Sequence, residues 1–384
     1  MMRLYLDHNA STTVRPQVVA AMAEAMAHTA NPSSVHRDGQ QAARAVEDVR
    51  RVVGKLLCAR PEDVIFTSGG TEATNLAIHS AIDAGDAKRL IVSALEHEAI
   101  AATARASGLP VETMPVTRAG IADLAWLETR LANWNSEIDG RPVLALMLAS
   151  NEIGTIQPVA AAAAMIREHD GLMIVDAIQA VGKIPVDFAA LGADYMAISA
   201  HKFGGPQGIG ALIAACNAPL SRHHHGGGQE KGRRGGTLNV AGITGLGRAL
   251  ELAVAELDQF AALADWRDAL QARLKTAAPE IEILGEGAPR LPNTLSIAHP
   301  SWKGETQVMA MDLAKISISA GSACSSGKTR GSKAGLALGL ETGPAEGLIR
   351  ISFGWTSKEY DIDAFARAWT AAHTRIAPKT PVSA

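Results

Sequence analysis

Six short runs between residues 64 and 214 are apolar along their whole length: VIFT (64–67), LIVS (90–93), VLALML (143–148), LMIVD (172–176), YMAIS (195–199) and IGALIA (209–214). A strand with one wet face alternates apolar and polar residues, whereas a strand covered on both faces does not. These runs therefore predict a mostly parallel sheet with helices on each side. Helical patterns fall between them, at 72–84, 98–107 and 159–169 among others, so the order is regularly βα and the fold class is α/β. A chain of 384 residues exceeds what one core usually holds, so a second domain is expected. The segment HHHGGGQEKGRRGGT (223–237) is too rich in glycine and charge for an element interior, a long helical stretch covers 242–278, and shorter elements follow. The expected division is 13–250 for the large domain, with 1–12 returning to join 251–384 in the smaller one.

Composition narrows the function classes. With 47% hydrophobic and 20% charged residues the chain is neither disordered nor fibrous. A net charge of -3 offers no concentrated basic surface, so nucleic acid is not an expected partner. The longest apolar stretch, 159–166, is too short to span a bilayer, and MMRLYLDHNAST holds no secretory apolar region, so no membrane role is expected. Cys58, Cys216 and Cys324 are odd in number, far apart and free of CxxC spacing. They indicate neither a disulfide framework nor a thiolate metal site, and they fit a reducing, cytoplasmic setting.

Ligands of open α/β sheets bind beyond the carboxyl ends of the strands, where this chain is unusually polar. After VIFT comes SGGTEATN (68–75), which reads either as a phosphate cradle at a helix start or as an ordinary glycine-rich turn capped by Thr71. His97 falls at a strand-to-helix corner, where a histidine is more often a cap than a catalyst. Asn151 and Glu152 end a third strand, where polar side chains can serve the loop backbone alone. Asp176 ends LMIVD, and Ser199, His201 and Lys202 end YMAIS. A lysine and a carboxylate at two strand ends of one sheet suit pyridoxal phosphate: the amine forms a Schiff base and the carboxylate keeps the pyridine nitrogen protonated. A buried salt bridge is the alternative.

Two further features stand out. GSACSSGKTRG (321–331) carries Cys324 in a segment composed like a mobile loop, with Lys328 and Arg330 close behind. His223, His224 and His225 invite a metal reading. Only the first and third share a face of an extended segment, and no carboxylate or thiol nearby in sequence completes a set, so no metal is expected. Cys58 and Cys216 read as small, buried or partly buried apolar residues.

YLDHNAST (5–12), TSGGTEATN (67–75), EHEA (96–99), NEIGTIQP (151–158), VDAIQAVGK (175–183), SAHKFGGPQGIG (199–210), GGGQEKGRRGGT (226–237), SAGSACSSG (319–327) and IRISFG (349–354) occur in this order along nearly the whole chain. Together they closely resemble the cysteine desulfurases of the iron-sulfur and nitrogen-fixation type, in the class V aminotransferase group. The resemblance implies pyridoxal phosphate fold type I: a large domain with a mostly parallel seven-stranded sheet, and a smaller α+β C-terminal domain. It implies pyridoxal 5'-phosphate as cofactor, with Lys202 as the Schiff-base lysine and Asp176 at the pyridine nitrogen. His97 would stack on the ring and move protons, and Gln179 would bond the ring hydroxyl. Gly70, Thr71, Ser199 and His201 would hold the phosphate, with Thr237 arriving from the other subunit of a homodimer. Asn151 and Arg350 would hold L-cysteine, Arg350 through its carboxylate. Cys324 would take the sulfur as a persulfide, leaving alanine, and pass it to an acceptor protein such as an iron-sulfur scaffold. Gln229 stands where the family often has histidine, and KTRGSKAG follows Cys324 where relatives carry Pro-Ser and apolar residues. Other readings are a selenocysteine lyase or another class V lyase, and a catalytically silent scaffold subunit.

Overall fold

Each apolar run becomes a strand: Val64–Thr67, Leu90–Ser93, Val143–Ala145, Leu172–Asp176, Tyr195–Ser199 and Gly210–Ala214. The structure, a computed structural model, describes residues 3–28, 30–83, 86–321 and 331–376. A seventh strand, Val111–Met114, pairs with Leu90–Ser93 at the sheet edge. Its sequence VETM shows no apolar run, because its faces are only partly covered: Val111 and Glu112 are half-buried, Thr113 is exposed and only Met114 is buried. From the opposite edge the strands run 64–67, 210–214, 195–199, 172–176, 143–145, 90–93 and 111–114. Gly210–Ala214 is antiparallel to both neighbours, and the remaining neighbouring pairs are parallel.

Successive side chains of these strands point to opposite faces, and so divide between two cores. Phe66, Ile91, Leu144, Met173, Val175, Met196 and Ile198 pack on one face, under the helices Arg37–Leu56, Val159–Glu168 and Val240–Ala255. Ile65, Val92, Ala145, Ile174, Tyr195 and Leu212 pack on the other, under Gly70–Asp83 and Glu98–Ala106. Both cores need an apolar residue at nearly every strand position, which is why the runs show no alternation.

The helical stretch expected over 242–278 is three helices, Val240–Ala255, Leu257–Ala261 and Leu263–Ala277. The breaks have a packing cause. Ile243, Leu246 and Leu250 face the large sheet, whereas Leu263, Leu270 and Leu274 join a separate core with Leu295, Ile351, Phe353 and Trp369. One straight helix could not present its apolar stripe to both. This second core is built on a four-stranded antiparallel sheet, ordered Ser319–Ala320, Leu348–Ser352, Thr294–Ala298 and Glu282–Ile283. Leu4–Tyr5 pairs in parallel with Ile316–Ser317, and Leu6 is buried in the same core.

Cys58 and Cys216 are exposed, which corrects the expectation of buried or partly buried residues. Cys58 follows the Arg37–Leu56 helix in the left-handed region, at φ 54°, and Cys216 lies in the turn after Gly210–Ala214. Residues just past an element end run over the surface whatever their polarity.

Candidate active site

The carboxyl ends of the central parallel strands open into a cavity of about 310 Å³, closed from the other side by Ser319, Ala320, Gly321 and Arg350 of the smaller sheet and by Asn9 and Ala10. Asp176 is the last residue of its strand and pairs with Ala197 on the neighbouring one, five residues before Lys202. Asp176 is 5% exposed, and its Oδ1 accepts the Ile178 N–H at 2.9 Å. Burial pushes its carboxyl up to about 6, against the pull of the Ile178 N–H and the Lys202 charge. Lys202 sits in the single turn Ala200–Lys202 that follows its strand. Its Nζ donates to Asn9 O at 2.6 Å and Ala10 O at 2.9 Å.

The Gly70–Asp83 helix starts at the cavity wall. A Cβ on Gly70 would lie 2.2 Å from Ile178 Cδ1, so a larger residue at the helix start would have to push that cavity-lining side chain aside. Its first N–H groups, Thr71, Ser199 and His201 line one end of the cavity, which makes that end a place for an anion. Burial, with Lys202 and Lys183 nearby, pushes His201 down to about 4, so it serves as a neutral hydrogen-bonding group.

His97 is a helix cap that also lines the cavity. Its Nδ1 accepts the Ala99 N–H at 3.1 Å and caps the Glu98–Ala106 helix, while the same residue lines the cavity. A nitrogen that accepts this bond carries no proton, so the neutral ring bears its hydrogen on Nε2. Burial and the Lys202 charge hold its pKa below the usual histidine range, which keeps the ring neutral.

Arg350, 8% exposed, donates from Nη1 to Asn151 O and from Nη2 to Asp7 Oδ1, both at 2.8 Å. Its Nε is buried and has no partner among the described residues. A buried charged donor of this kind calls for an acceptor, and a small carboxylate in the cavity supplies one.

The cavity also holds residues that strand-end reasoning passed over. Asn9 is the hub: its carbonyl accepts from Lys202 and from Gln179 Nε2 at 2.7 Å, and its side chain accepts from Lys183 at 2.9 Å and Asn293 at 3.1 Å. Asp7 and Asn9 both lie in the quoted YLDHNAST, yet no periodicity distinguishes them. Glu152 accepts the Ser332 hydroxyl at 2.7 Å, and Lys333 Nζ donates to Glu96 O at 3.2 Å. Thr237 is exposed and absent from the cavity lining. Its segment is anchored by Arg50 to Glu230, both bonds at 3.0 Å, and by Arg234 to Glu72 at 2.7 Å, and Gln229 Oε1 accepts the Gly236 N–H. Cys324 lies outside the described residues.

Two of the three histidines, His223 and His224, have carboxylate neighbours that linear distance concealed. His223 stands 3.1 Å from Asp83 and His224 3.7 Å from Glu72. Among the described residues, three potential ligand atoms gather at Glu280, His299 and His373. There His299 Nδ1 accepts the Ser301 and Trp302 N–H groups at 3.2 and 3.0 Å, so its Nε2, 3.3 Å from Glu280, carries the proton and has no lone pair for a metal.

Glu96 gives a pH-dependent prediction. It is 2% exposed, lines the cavity, and has one oxygen without a hydrogen-bond partner among the described residues. Burial, reinforced by Asp176, pushes its carboxyl from an ordinary 4.5 up to about 8. Between those values the native state keeps a proton that the unfolded chain has released, so raising the pH through that window weakens the fold. Glu96→Gln retains an acceptor for Met147 N–H and removes the proton linkage. With the cofactor site in the same state in both proteins, the stability of the variant relative to the wild type should rise by on the order of a few kcal/mol between about pH 5 and pH 8. A pH-independent difference in melting temperature would refute this.

The donor set fits pyridoxal phosphate: an amine at Lys202, a carboxylate at Asp176, a glycine-opened helix start for the phosphate, a neutral imidazole beside them and a guanidinium with an unused N–H. Comparison with known proteins agrees. Residues 4–365 match the family described as Aminotransferase class-V. The cysteine desulfurase IscS of Dictyoglomus turgidum is 36% identical over 375 residues, spanning 95% of this chain and 94% of that one. A cysteine desulfurase of Cereibacter sphaeroides is 38% identical over 369 residues, spanning 93% and 92%. The X-ray structure of a NifS-like protein from Rickettsia africae superposes with a TM-score of 0.89 at 31% identity, covering 97% of this chain and 99% of that one.

Proposed function

Because the chain belongs to the aminotransferase class-V family, in which its full-length relatives are cysteine desulfurases, we propose that it removes sulfur from L-cysteine with pyridoxal phosphate and delivers that sulfur to an acceptor protein. The observation that carries the substrate half of this reading is the Nε of Arg350, which has no partner among the described residues and is buried in the same cavity as Asp176 and Lys202.

When bound, pyridoxal phosphate supplies an electron sink that labilises bonds at the substrate carbons. Lys202 is the amine that holds the cofactor covalently. Asp176, whose carboxyl burial pushes up to about 6, gains a cationic partner at the ring nitrogen and stays ionised against it. The Gly70 and Thr71 end of the helix, with Ser199 and His201, takes the phosphate. His97 presents Nε2–H at the cavity wall, the atom from which it can hand over a proton. Arg350 holds the cysteine carboxylate beside Asn151. Cys324, as thiolate, attacks the substrate sulfur: the S–S bond forms as the Cβ–S bond breaks, Cβ takes up a proton, and alanine leaves with a persulfide on the enzyme.

The enzyme works as a homodimer whose Thr237 segments reach the partner's phosphate site. It acts in the cytoplasm, since a free nucleophilic thiol needs a reducing compartment. The acceptor is an iron-sulfur scaffold or another protein of thio-cofactor synthesis, as the resemblance to desulfurases of that type implies.

Steady-state kinetics with L-cysteine, read as alanine formed, tests the substrate assignment. Arg350→Ala should keep cofactor content near normal and raise KM roughly tenfold to a thousandfold, the range for a buried guanidinium facing a carboxylate. An unchanged KM would place the carboxylate elsewhere.

A further inference from the structure

Lys183 lies seven residues after Asp176, beyond a turn that only glycine allows. Gly182 has φ +75°, and a Cβ there would lie 2.6 Å from Phe203 Cβ and 2.9 Å from Ala253 Cβ. That turn sends Lys183 inward behind the cavity, where it is 3% exposed. A buried lysine is ordinarily paired with a carboxylate. Lys183 instead donates to two neutral oxygens, Asn9 Oδ1 at 2.9 Å and Gln179 Oε1. Among the described residues, the charged and titratable groups that act on it are Lys202 and Arg350, with His8 and His201 within electrostatic reach, and none of these is acidic. Two acceptors match the two N–H groups of a neutral amine, whereas an ammonium would bring a third donor into a cationic surrounding.

The bond to Gln179 decides which end of that amide the cavity meets. With Oε1 turned to Lys183, and one hydrogen of Nε2 given to Asn9 O at 2.7 Å, what remains for a ligand is the second Nε2–H. An amide free to flip would offer either a donor or an acceptor. We propose that Lys183 is a positioning residue that locks the Gln179 amide with its N–H toward the cofactor, so that the ring oxygen it meets must accept a hydrogen bond and is favoured in its anionic form. The role rests on the pyridoxal phosphate reading above, and it is carried out through Gln179 rather than by contact with the cofactor.

The test is the pH titration of the visible absorption of the cofactor-loaded protein without substrate. In Lys183→Met the donor to Gln179 Oε1 is gone, the amide is held by its Asn9 O bond alone and turns more freely, and the titration midpoint should rise by up to roughly one pH unit, the size of one hydrogen bond to a charged group. The same substitution in a Gln179→Leu background should move the midpoint little, because the relay is already absent. A shift that persists in that background would assign the effect to charge at position 183 and overturn the proposal, as would an unchanged midpoint in Lys183→Met. Lys183→Gln, which keeps an N–H donor on a shorter stem, should fall between wild type and Lys183→Met. Should the methionine variant fail to fold, the comparison is read on Lys183→Gln in the two backgrounds, by the same criteria. A wild-type protein that takes up no pyridoxal phosphate would instead refute the functional reading itself.

Discussion

Cys324→Ser is expected to leave the fold, the cofactor content and the spectral response to L-cysteine intact, because none of these needs the thiol. Alanine release should fall on the order of a hundredfold or more, since a hydroxyl is a far poorer attacking group on sulfur than a thiolate at neutral pH. Mass spectrometry after one turnover of the wild type should find the added sulfur on the peptide that contains Cys324. Cys58 and Cys216 are exposed, so serine at either costs little packing and turnover should stay near normal. They are also the controls that matter, because an exposed thiol can pick up sulfur adventitiously. Sulfur found first on Cys58 or Cys216, or normal turnover by Cys324→Ser, would refute the persulfide assignment.

Lys202→Ala should abolish the covalent link to the cofactor. Borohydride reduction followed by mass analysis should trap pyridoxal phosphate on the wild-type peptide spanning Lys202 and on no peptide of the variant, and turnover should drop roughly a thousandfold or more. The fold should survive, since Asn9 O retains its bond from Gln179 and the strand end is held by the sheet. A variant still reduced to a stable adduct at another lysine would move the Schiff base. Lys333 lines the cavity and Lys183 lies behind it, the amine of Lys183 being already committed to Asn9 and Gln179.

The large sheet was legible in the chain because it is covered on both faces, and a doubly covered strand must be apolar at successive positions. Six strands carry that mark. Val111–Met114 does not, since its faces are only partly covered and its composition answers to water as much as to the core. The break of 242–278 into three helices was hidden for a related reason: helical periodicity is visible locally, but a change of the core that an apolar stripe faces is not.

Asp176, Lys202, His97 and the glycine-opened helix start could be identified from sequence because parallel strands all deliver their last residues to one edge of the sheet. The chain by itself therefore determined the α/β class, the edge at which chemistry happens and most of the residues that face it. Only the tertiary structure decided what those residues are bonded to. It set Asn9 under Lys202, left Arg350 Nε without a partner among the described residues, joined Lys183 to Gln179 and put carboxylates beside the histidine run. Such contacts join segments separated by up to several hundred residues, and hydrogen bonding and burial depend on distance in space, which no local pattern of residue types encodes.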